Sequence, residues 1–157
     1  MKLRCLNGDA ELVRAAQKIN LGILPVQPPA SCYRRAESDI LGLSWVAVDG
    51  EVVIGAAIAD LEIGRDGLRT VQLRTLAVSA QFRRQGIGRQ LVLKVVEQGK
   101  KITTAEGKVQ GVRLNVHVGN NEAIAFYKAL GFVKLAQIEN YYRHLEPRTA
   151  LMMEYSL

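Results

Sequence analysis

The chain is poor in cysteine, histidine and aromatic residues, and it has no long apolar run. Its two cysteines among 157 residues, Cys5 and Cys32, form neither a disulfide framework nor a zinc-site spacing, so we expect no metal. No uncharged apolar stretch reaches about 18 residues, so we expect no transmembrane helix. The first residues lack the pattern of a secretory signal, which favours a reducing, cytoplasmic location.

The composition is that of an ordinary globular protein. Apolar residues make up 48% and charged residues 23%, so we expect one domain over residues 1–157. The 21 basic residues exceed the 15 acidic ones, and the net charge of +6 favours an anionic partner or simply a solvated basic surface. Too few aromatic residues stand beside basic ones to predict a nucleic-acid site, and nothing predicts membrane binding.

The first part of the chain has a helical pattern followed by a proline-rich segment. Apolar residues at helical spacing after Asp9 predict a capped helix that runs to about Leu21 and is ended by Gly22. Three prolines in the segment 24–29 exclude a regular helix and favour a semi-rigid loop. The segment 31–41 is compatible with a second short helix.

The rest of the chain predicts a mixed α/β sheet. Strand patterns at 43–48, 51–60 and 70–78, separated by turns, indicate a three-stranded antiparallel meander. Helical spacing from about Gly88 predicts a helix that Gly99 breaks, with a polar loop after it. The later pattern comprises a strand at 112–118, a helix at 123–130 closed by Gly131, and strands at 132–138 and 150–155. This alternation places a β-α-β crossover at the centre of the sheet.

The segment between the third strand and the following helix has the composition of a phosphate-binding turn. Glycines at the start of a helix leave backbone N–H groups open to an anion, and the helix dipole favours negative charge there. The spacing is neither that of a dinucleotide fingerprint nor that of a P-loop, and a tight structural turn is the plain alternative. The residues concerned are Arg83, Arg84, Gln85, Gly86, Ile87, Gly88 and Arg89.

Two motifs in this half of the chain resemble the GNAT superfamily of N-acetyltransferases. The pattern Arg83-x-x-Gly86-x-Gly88 resembles that superfamily's acetyl-CoA pyrophosphate motif. A second pattern is similar to its following helix motif and comprises Asn120, Ala123, Tyr127, Gly131 and Phe132. The resemblance implies a GNAT fold, in which an antiparallel meander precedes the crossover and the central strand pair splays apart.

Segments outside these motifs are similar to the catalytic subunits of eukaryotic N-terminal acetyltransferase E. The similar segments are 24–26 and 140–147, which in those enzymes frame a peptide channel. Those subunits carry a catalytic tyrosine where this chain has Gln72, and a substrate-contacting tyrosine where it has Pro28. The resemblance therefore implies the same reaction, carried out by a site in which two side chains differ from those of the similar enzymes.

The resemblance assigns acetyl-CoA as co-substrate and gives a set of residues that bind it. The thioester would lie where the strand ending at Val78 separates from the strand beginning near Val112. The implied coenzyme-binding residues are Leu76, Ala77, Val78, Arg83, Arg84, Gln85, Gly86, Ile87, Gly88, Arg89, Asn120, Ala123 and Tyr127.

Three residues are candidates for the chemistry. His117, with a free pKa near ~6.5, is the candidate base, although a histidine on one wet face of a strand usually means little. Tyr127 is the candidate acid for the leaving thiolate; its alternative is a core aromatic beside Phe126. Gln72 cannot act as a base but can hold a water that relays the proton. Neither cysteine lies near the motifs, so we expect direct attack in a ternary complex.

The predicted substrate is the free N-terminal amine of a protein or peptide. The candidate substrate-binding residues are Leu24, Pro25, Val26, Arg74, Tyr141 and Tyr142; for the two tyrosines, packing of a surface loop is an equal alternative. Further N-terminal acetyltransferase subunits and the ribosome are possible partners. Two other functions remain open: acetylation of lysine side chains or a small amine, and a catalytically weak CoA-binding subunit in a ribosome-associated complex.

Overall fold

A computed structural model describes residues 1–157, except for the side chains of residues 104–106. Its seven strands form one mixed sheet with the order β1-β2-β3-β4-β5-β7-β6. The strands are β1 Lys2–Cys5, β2 Trp45–Asp49, β3 Val52–Ile63, β4 Arg69–Val78, β5 Gly111–His117, β6 Val133–Ile138 and β7 Ala150–Ser156. The helices are α1 Ala10–Ile23, α2 Ala30–Ser38, α3 Ile87–Glu106 and α4 Asn121–Leu130. None of the described helices is both long and apolar enough to cross a bilayer.

Helix α1 begins as predicted but does not end at the predicted residue. The Asp9 carboxylate accepts the N–H groups of Glu11 and Leu12, which satisfies two of the donors that a helix start leaves open. The helix continues through Gly22 and ends at Ile23, so the predicted end at Gly22 is wrong. A Cβ at Gly22 would meet no atom within 4 Å, so the glycine marks neither a turn nor a close contact there.

Helices α1 and α2 cover one face of the meander. Their buried side chains, among them Leu12, Val13 and Tyr33, form one apolar cluster with Val46 and Ile58 of the sheet. The predicted meander is present, and β1, which the sequence did not predict, adds a fourth antiparallel strand at its edge. Strand β1 has only four residues with an exposed–intermediate alternation, too short a pattern to be recognised.

A β-bulge interrupts the pairing of β3 and β4 at Arg74. Ile58 pairs with Thr75 and the next residue, Ala59, pairs with Leu73, so Arg74 has no partner residue on β3. A bulge adds one residue to a strand and thereby re-aims the side chains around it. As a consequence the Arg74 side chain leaves the regular alternation of the strand.

A helical crossover joins the two central parallel strands, β4 and β5. Their ladder has only two register pairs, Val71–Val112 and Gln72–Arg113, at the beginning of both strands. Beyond these pairs the strands separate, which leaves the β5-facing edge of residues 73–78 without a strand partner. The predicted mixed sheet, central crossover and splayed strand pair are thus confirmed.

Helix α3 is longer than the sequence predicts. The expected break at Gly99 and polar loop after it are wrong, because the helix runs on to Glu106. Gly99 faces the sheet: a Cβ there would lie 2.8 Å from Cδ1 of Leu157. A glycine costs a helix about 1 kcal/mol relative to alanine, and the burial of Leu91, Val95 and Ile102 on this face outweighs that cost.

Helix α4 ends at the predicted glycine and begins with a side-chain cap that the sequence analysis did not predict. The Asn120 side chain accepts the N–H of Ala123, and Gly131 ends the helix in the left-handed conformation with φ 110°. The chain then forms β6 at one edge and β7 between β6 and β5. Tyr127 of α4 packs among Phe126 and Phe132, which holds this helix against the opened side of β5.

Candidate active site

A cavity of about 450 Å³ opens where β4 and β5 separate. The loop between α1 and α2 forms one wall, the start of α4 another, and the loop between β6 and β7 a third. Its lining comprises Leu24, Pro25, Val26, Gln27, Pro28, Pro29, Ser31, Cys32, Arg35, Leu73, Arg74, Thr75, Leu76, Leu114, Asn115, Val116, His117, Asn120, Ala123, Tyr127, Tyr141, Tyr142 and Leu145. Segments distant in sequence therefore meet at the edge that the splayed strands leave unpaired.

The cavity brings together most of the side chains that the sequence singled out. The predicted residues that line it are Leu24, Pro25, Val26, Arg74, Leu76, His117, Asn120, Ala123, Tyr127, Tyr141 and Tyr142. Gln72, Ala77, Val78 and the segment 83–89 lie outside this lining. The first group surrounds one space, and the segment 83–89 lies at the end of β4 that borders it.

His117 stands in the cavity wall with one ring nitrogen already paired. Its Nε2 lies 2.6 Å from the carbonyl oxygen of Pro147, and since a carbonyl only accepts, Nε2 carries the proton in the neutral ring. The remaining acceptor is Nδ1, which lies next to Gly119: a Cβ on that glycine would be 3.2 Å from it. Gly119 thus keeps the side of the ring with the free lone pair uncrowded.

The ring of Tyr142 packs against the ring of His117 and restricts its orientation. The two rings meet edge to face with centroids 5.4 Å apart, and Tyr141 packs against Tyr142 in the same way at 4.9 Å. Burial is the main cause that raises the pKa of Tyr142 to about 12, so its hydroxyl stays protonated at neutral pH. The two tyrosines therefore form part of the cavity wall rather than a free surface loop.

Asn115 contributes an amide that the sequence analysis did not single out as a site residue. It precedes His117 by two residues on the same face of β5, and its Nδ2 donates to the hydroxyl of Tyr141 at 3.3 Å. Its Oδ1 is buried without a hydrogen-bond partner in the described part of the chain. A buried acceptor without a donor costs roughly 1–3 kcal/mol, so the position of Asn115 in the wall is held at a cost in stability.

Tyr127 is almost fully enclosed between α4 and the sheet. It is 9% exposed, and burial raises the pKa of its phenol far above the ordinary value. The hydroxyl therefore keeps its proton and can donate a hydrogen bond into the cavity. With a pKa above that of a thiol, about 8.5, it is better suited to stabilise a thiolate by hydrogen bonding than to transfer its proton completely.

Gln72 lies at the closed end of the strand pair. It pairs with Arg113 in the ladder, and its side-chain nitrogen donates to Oγ1 of Thr70 at 2.9 Å. Asn115 and His117 are two and four residues further along β5, where the strands have already separated. Gln72 is therefore directed to its own strand and stands apart from the cavity that His117 lines.

The segment 83–89 has the geometry of an anion-binding turn. Arg84 and Gly86 both have left-handed backbone conformations, with φ 62° and 78°. None of the described side chains caps the start of α3, and its hydrogen-bond ladder begins with the N–H of Gln90 bonded to the carbonyl of Gly86. The N–H groups of the first helical turn thus lack intrahelical acceptors. Such a concave set of donors at a positive helix end fits a diphosphate.

Arg83 has a positioning contact within this turn. Its Nε donates to the carbonyl oxygen of Val78 at 3.2 Å, which ties the turn to the end of β4. Gly88 lies against the ring of Phe126, with a Cβ position 3.5 Å from Cζ, so the start of α3 sits close to α4. Through these two contacts the turn and the cavity are held next to each other.

A buried amide holds the wall of the cavity from behind. Asn20 of α1 is fully buried, and its Nδ2 donates to the hydroxyl of Tyr33 at 2.9 Å and to Oγ1 of Thr75 at 3.1 Å. Tyr33 belongs to α2, and Thr75 lines the cavity from β4. One side chain therefore links both helices to the strand whose edge is open, which fixes the loop between the helices.

The sequence also did not point to Arg35 and Cys32, which reach the cavity from α2. A helix of nine residues with a charged outer face gave no signal for function. Their three-residue spacing places them on one side of a helix, but which side faces a cavity depends on how α2 packs. Knowledge of the tertiary packing was needed to find them.

The fold and sequence place the chain among known acetyltransferases. The profile of the Acetyltransferase (GNAT) family matches residues 14–132. N-alpha-acetyltransferase 50 of Danio rerio is 27% identical over 159 aligned positions, which cover 100% of this chain and 91% of that protein. An N-alpha-acetyltransferase of Sulfurisphaera tokodaii is 36% identical over 135, covering 80% of this chain and 77% of the relative.

A solved structure agrees with these sequence similarities. Arabidopsis thaliana Naa50 in complex with the bisubstrate analogue CoA-Ac-MVNAL superimposes with a TM-score of 0.82 at 29% identity, covering 99% of this chain and 98% of that one. Because the superposition covers 99% of this chain, it includes the sheet. The family profile covers far more than half of the sequence, and the chain belongs to the GNAT family of acetyltransferases.

Proposed function

We propose that the protein transfers the acetyl group of acetyl-CoA to the free α-amine of a protein or peptide N-terminus. The observation that carries this proposal is the single cavity in which His117, Tyr127 and Tyr142 surround the unpaired edge of β4. The similar proteins named above are N-alpha-acetyltransferases, and the superimposed one is bound to an analogue that joins CoA to a peptide. Both support an α-amine as acceptor.

The chain has residues in place for each part of acetyl-CoA. The N–H groups at the start of α3 and the Arg84 side chain bind the diphosphate, while Arg83 keeps the turn against Val78. The open edge of residues 73–78 offers backbone groups to the pantetheine arm, as a further strand would use them. When bound, acetyl-CoA supplies the thioester carbon that an amine attacks.

His117 takes the proton from the substrate amine through its Nδ1. The Pro147 carbonyl keeps the proton of the neutral ring on Nε2, so the lone pair remains on the nitrogen beside Gly119. As the ring becomes doubly protonated, the same carbonyl stabilises the positive charge. A water between the amine and Nδ1 completes the path.

Tyr127 acts on the leaving sulfur. Its phenol stays protonated because it is buried, and it donates a hydrogen bond to the thiolate that forms in the cavity. Tyr141 and Tyr142, in the loop before β7, line the same cavity and contact the backbone of the peptide. The segment 24–26 supplies an apolar surface for the first side chain of the peptide. Direct attack in a ternary complex needs no group beyond these.

An acceptor panel tests the proposal. The protein is incubated with acetyl-CoA and a peptide carrying one lysine, offered with a free or a formylated N-terminus, and CoA thiol release is followed. We expect turnover with the free N-terminus and a loss of at least about 100-fold when it is blocked, because the lysine amine then has to reach the same position. Equal turnover of the blocked peptide would overturn α-amine specificity in favour of lysine acetylation. Binding of acetyl-CoA without turnover of any amine would instead show a non-catalytic subunit.

We also propose a cytoplasmic location in the neighbourhood of ribosomes, together with other acetyltransferase subunits. New N-termini become accessible there, and a net charge of +6 favours contact with ribosomal RNA phosphates. Cosedimentation of the tagged protein with ribosomes from a cytoplasmic extract, at low and high salt, tests this. The proposal predicts binding that weakens as salt rises, and protein that stays in the supernatant at low salt would contradict it.

A further inference from the structure

The charged side chains that line the cavity are all basic. Arg35 and Arg74 contribute guanidinium groups, and no carboxylate lines the cavity within the described residues. A cationic group brought into this space meets repulsion without a compensating carboxylate, whereas an anionic group meets attraction. The electrostatics of the cavity therefore discriminate between peptides by charge.

The carboxylates that pair with the two arginines lie outside the cavity. Asp60 and Glu62 border a neighbouring surface depression, to which both arginines also belong, and neither lines the cavity itself. Arg74 uses two nitrogens on Asp60, at 2.9 and 3.0 Å, and contacts Glu62 at 3.3 Å. Because Nε and Nη2 of Arg74 both bond to these carboxylates, Arg74 is a structural part of the wall.

Arg35 has open donors. Within the described residues it forms an ion pair with Asp60 at 3.6 Å, longer than a hydrogen bond, and its side chain is 58% exposed. A guanidinium has five N–H donors, so most of them remain available to a ligand. The side chain projects from α2 towards the mouth of the cavity, beside the loop that forms the wall for the first peptide residues.

The distance along β4 from Leu76 to Arg74 matches the spacing of the first few residues of an extended peptide. Arg35 and Arg74 both contact the carboxylate of Asp60, so the two arginines lie close together. Arg74 precedes Leu76 by two residues, which is about 7 Å along the strand. An extended peptide advances about 3.3–3.6 Å per residue. A chain whose α-amine lies beside Leu76 therefore brings its second or third side chain to the two arginines.

We infer that Arg35 makes the enzyme selective for an acidic side chain at the second or third residue of its peptide substrate and that the cavity disfavours a basic one there. This inference rests on the proposed function and takes the α-amine to lie beside Leu76, which lines the cavity together with His117. The recognised group is a carboxylate, and Arg35 binds it without giving up the contact to Asp60, since the two ligands use different faces of the guanidinium fork.

Six peptides and three variants test the selectivity. The peptides share an apolar first residue and differ only in Glu, Gln or Lys at position two or position three. The variants are Arg35→Glu, Arg35→Gln and the matched control Arg34→Glu; Arg34 is the exposed neighbour that does not line the cavity. Thermal melting of each variant confirms folding, and kcat/KM is measured at low and high salt.

The wild-type enzyme is expected to use a Glu peptide about fivefold better than its Gln counterpart at one of the two positions, with the Lys peptide poorest, and the ratio should shrink at high salt. Arg35→Gln should remove the Glu preference, Arg35→Glu should reverse the order of Glu and Lys, and Arg34→Glu should keep the wild-type ratios. A wild-type enzyme that does not distinguish Glu from Lys, or ratios unchanged in both Arg35 variants, would overturn the inference. Turnover of the neutral Gln peptides reports separately on the proposed function, because it does not depend on a charge at either position.

Discussion

Nε2 of His117 lies 2.6 Å from the carbonyl oxygen of Pro147, although the two residues are thirty positions apart in sequence. This contact joins β5 to the loop before β7 and decides which nitrogen of the imidazole holds the proton. The opposite nitrogen lies beside Gly119, which has no side chain to cover it. The base proposed here is thus oriented by a backbone group.

Replacement of His117 by alanine should lower kcat by about 100- to 1,000-fold while the Kd for acetyl-CoA stays within about twofold, because a general base acts on the amine and not on the coenzyme. Steady-state kinetics and calorimetry measure the two quantities. His144→Ala is the matched control, since that histidine is exposed on the loop before β7 and does not line the cavity. A variant with kcat close to wild type would remove His117 from the mechanism.

Tyr127→Phe keeps the ring and removes only the hydroxyl. We expect a roughly tenfold lower kcat with little change in the melting temperature, because the phenol donates a hydrogen bond to the leaving thiolate. Its packing against Phe132 should survive. An acyl donor with a more acidic leaving thiol should lose less activity on this substitution, and equal losses for both donors would contradict the role.

Gly86→Asp should weaken acetyl-CoA binding by at least about 100-fold, because a carboxylate would stand where the diphosphate is held and a side chain strains a residue with φ 78°. Gly67→Asp controls for the strain alone: its φ is 80° and a Cβ there also meets no atom within 4 Å, but it lies in the turn between β3 and β4. Calorimetry should show wild-type affinity for this control. Equal affinity losses in both variants would point to strain and not to the phosphate site.

Cys32 should resist alkylation although it lines the cavity. Burial is the main cause that raises the pKa of its thiol to about 11, so only about a thousandth is thiolate near pH 8. Raising the pH favours the thiolate, and the alkylation rate should therefore increase about 100-fold from pH 8 to pH 10. Mass spectrometry of iodoacetamide-treated protein, with Cys32→Ser to assign the site, measures the rate. Rapid modification at pH 7 would contradict the raised pKa.

Gly22→Ala should raise the free energy of unfolding by about 0.5–1 kcal/mol, because Gly22 lies within α1 and a methyl group there meets no neighbour. Gly99→Ala in α3 makes the comparison. It should gain less, since the new Cβ would be 2.8 Å from Cδ1 of Leu157 and that side chain must move. Urea denaturation measures both differences, and a destabilised Gly22→Ala would show that the glycine has a role the helix geometry does not reveal.

The parts of the fold that local chemistry determines were predictable. Asp9 and Asn120 cap helices, Gly131 ends one and Gly50 turns a hairpin, because each effect depends on a few neighbouring residues. The helix through Gly99 was not predictable, since its stability comes from the sheet beneath it. Strand β1 was missed for a related reason: its four residues are held by pairing with β2, and their own pattern is too short.

The same distinction applies to the site. The predicted phosphate-binding turn and the residues of α4 are contiguous motifs, so the sequence indicated them, and the structure places Tyr127 and His117 in one cavity. Gln72 was a candidate only because the similar enzymes carry a catalytic tyrosine at that position. The two register pairs between β4 and β5 place it at the end where these strands are still paired. Arg35 gave no sequence signal, because its position at the cavity depends on how α2 packs. Asn115 alternates with His117 on one polar face of β5, but only the point where the strands diverge shows that this face borders a cavity.

The bulge at Arg74 lets β4 carry one residue more than the segment of β3 that it pairs with. Deleting that one residue would let the hairpin pair regularly with the same partners, Ile58 with Thr75 and Ala59 with Leu73, so the remaining side chains would keep their faces. The hydrogen bond from Asn20 to Thr75 would stay possible, whereas the guanidinium contacts to Asp60 would be lost. An enzyme shortened by this single codon would keep a continuous sheet and lack one basic side chain in the wall of the cavity.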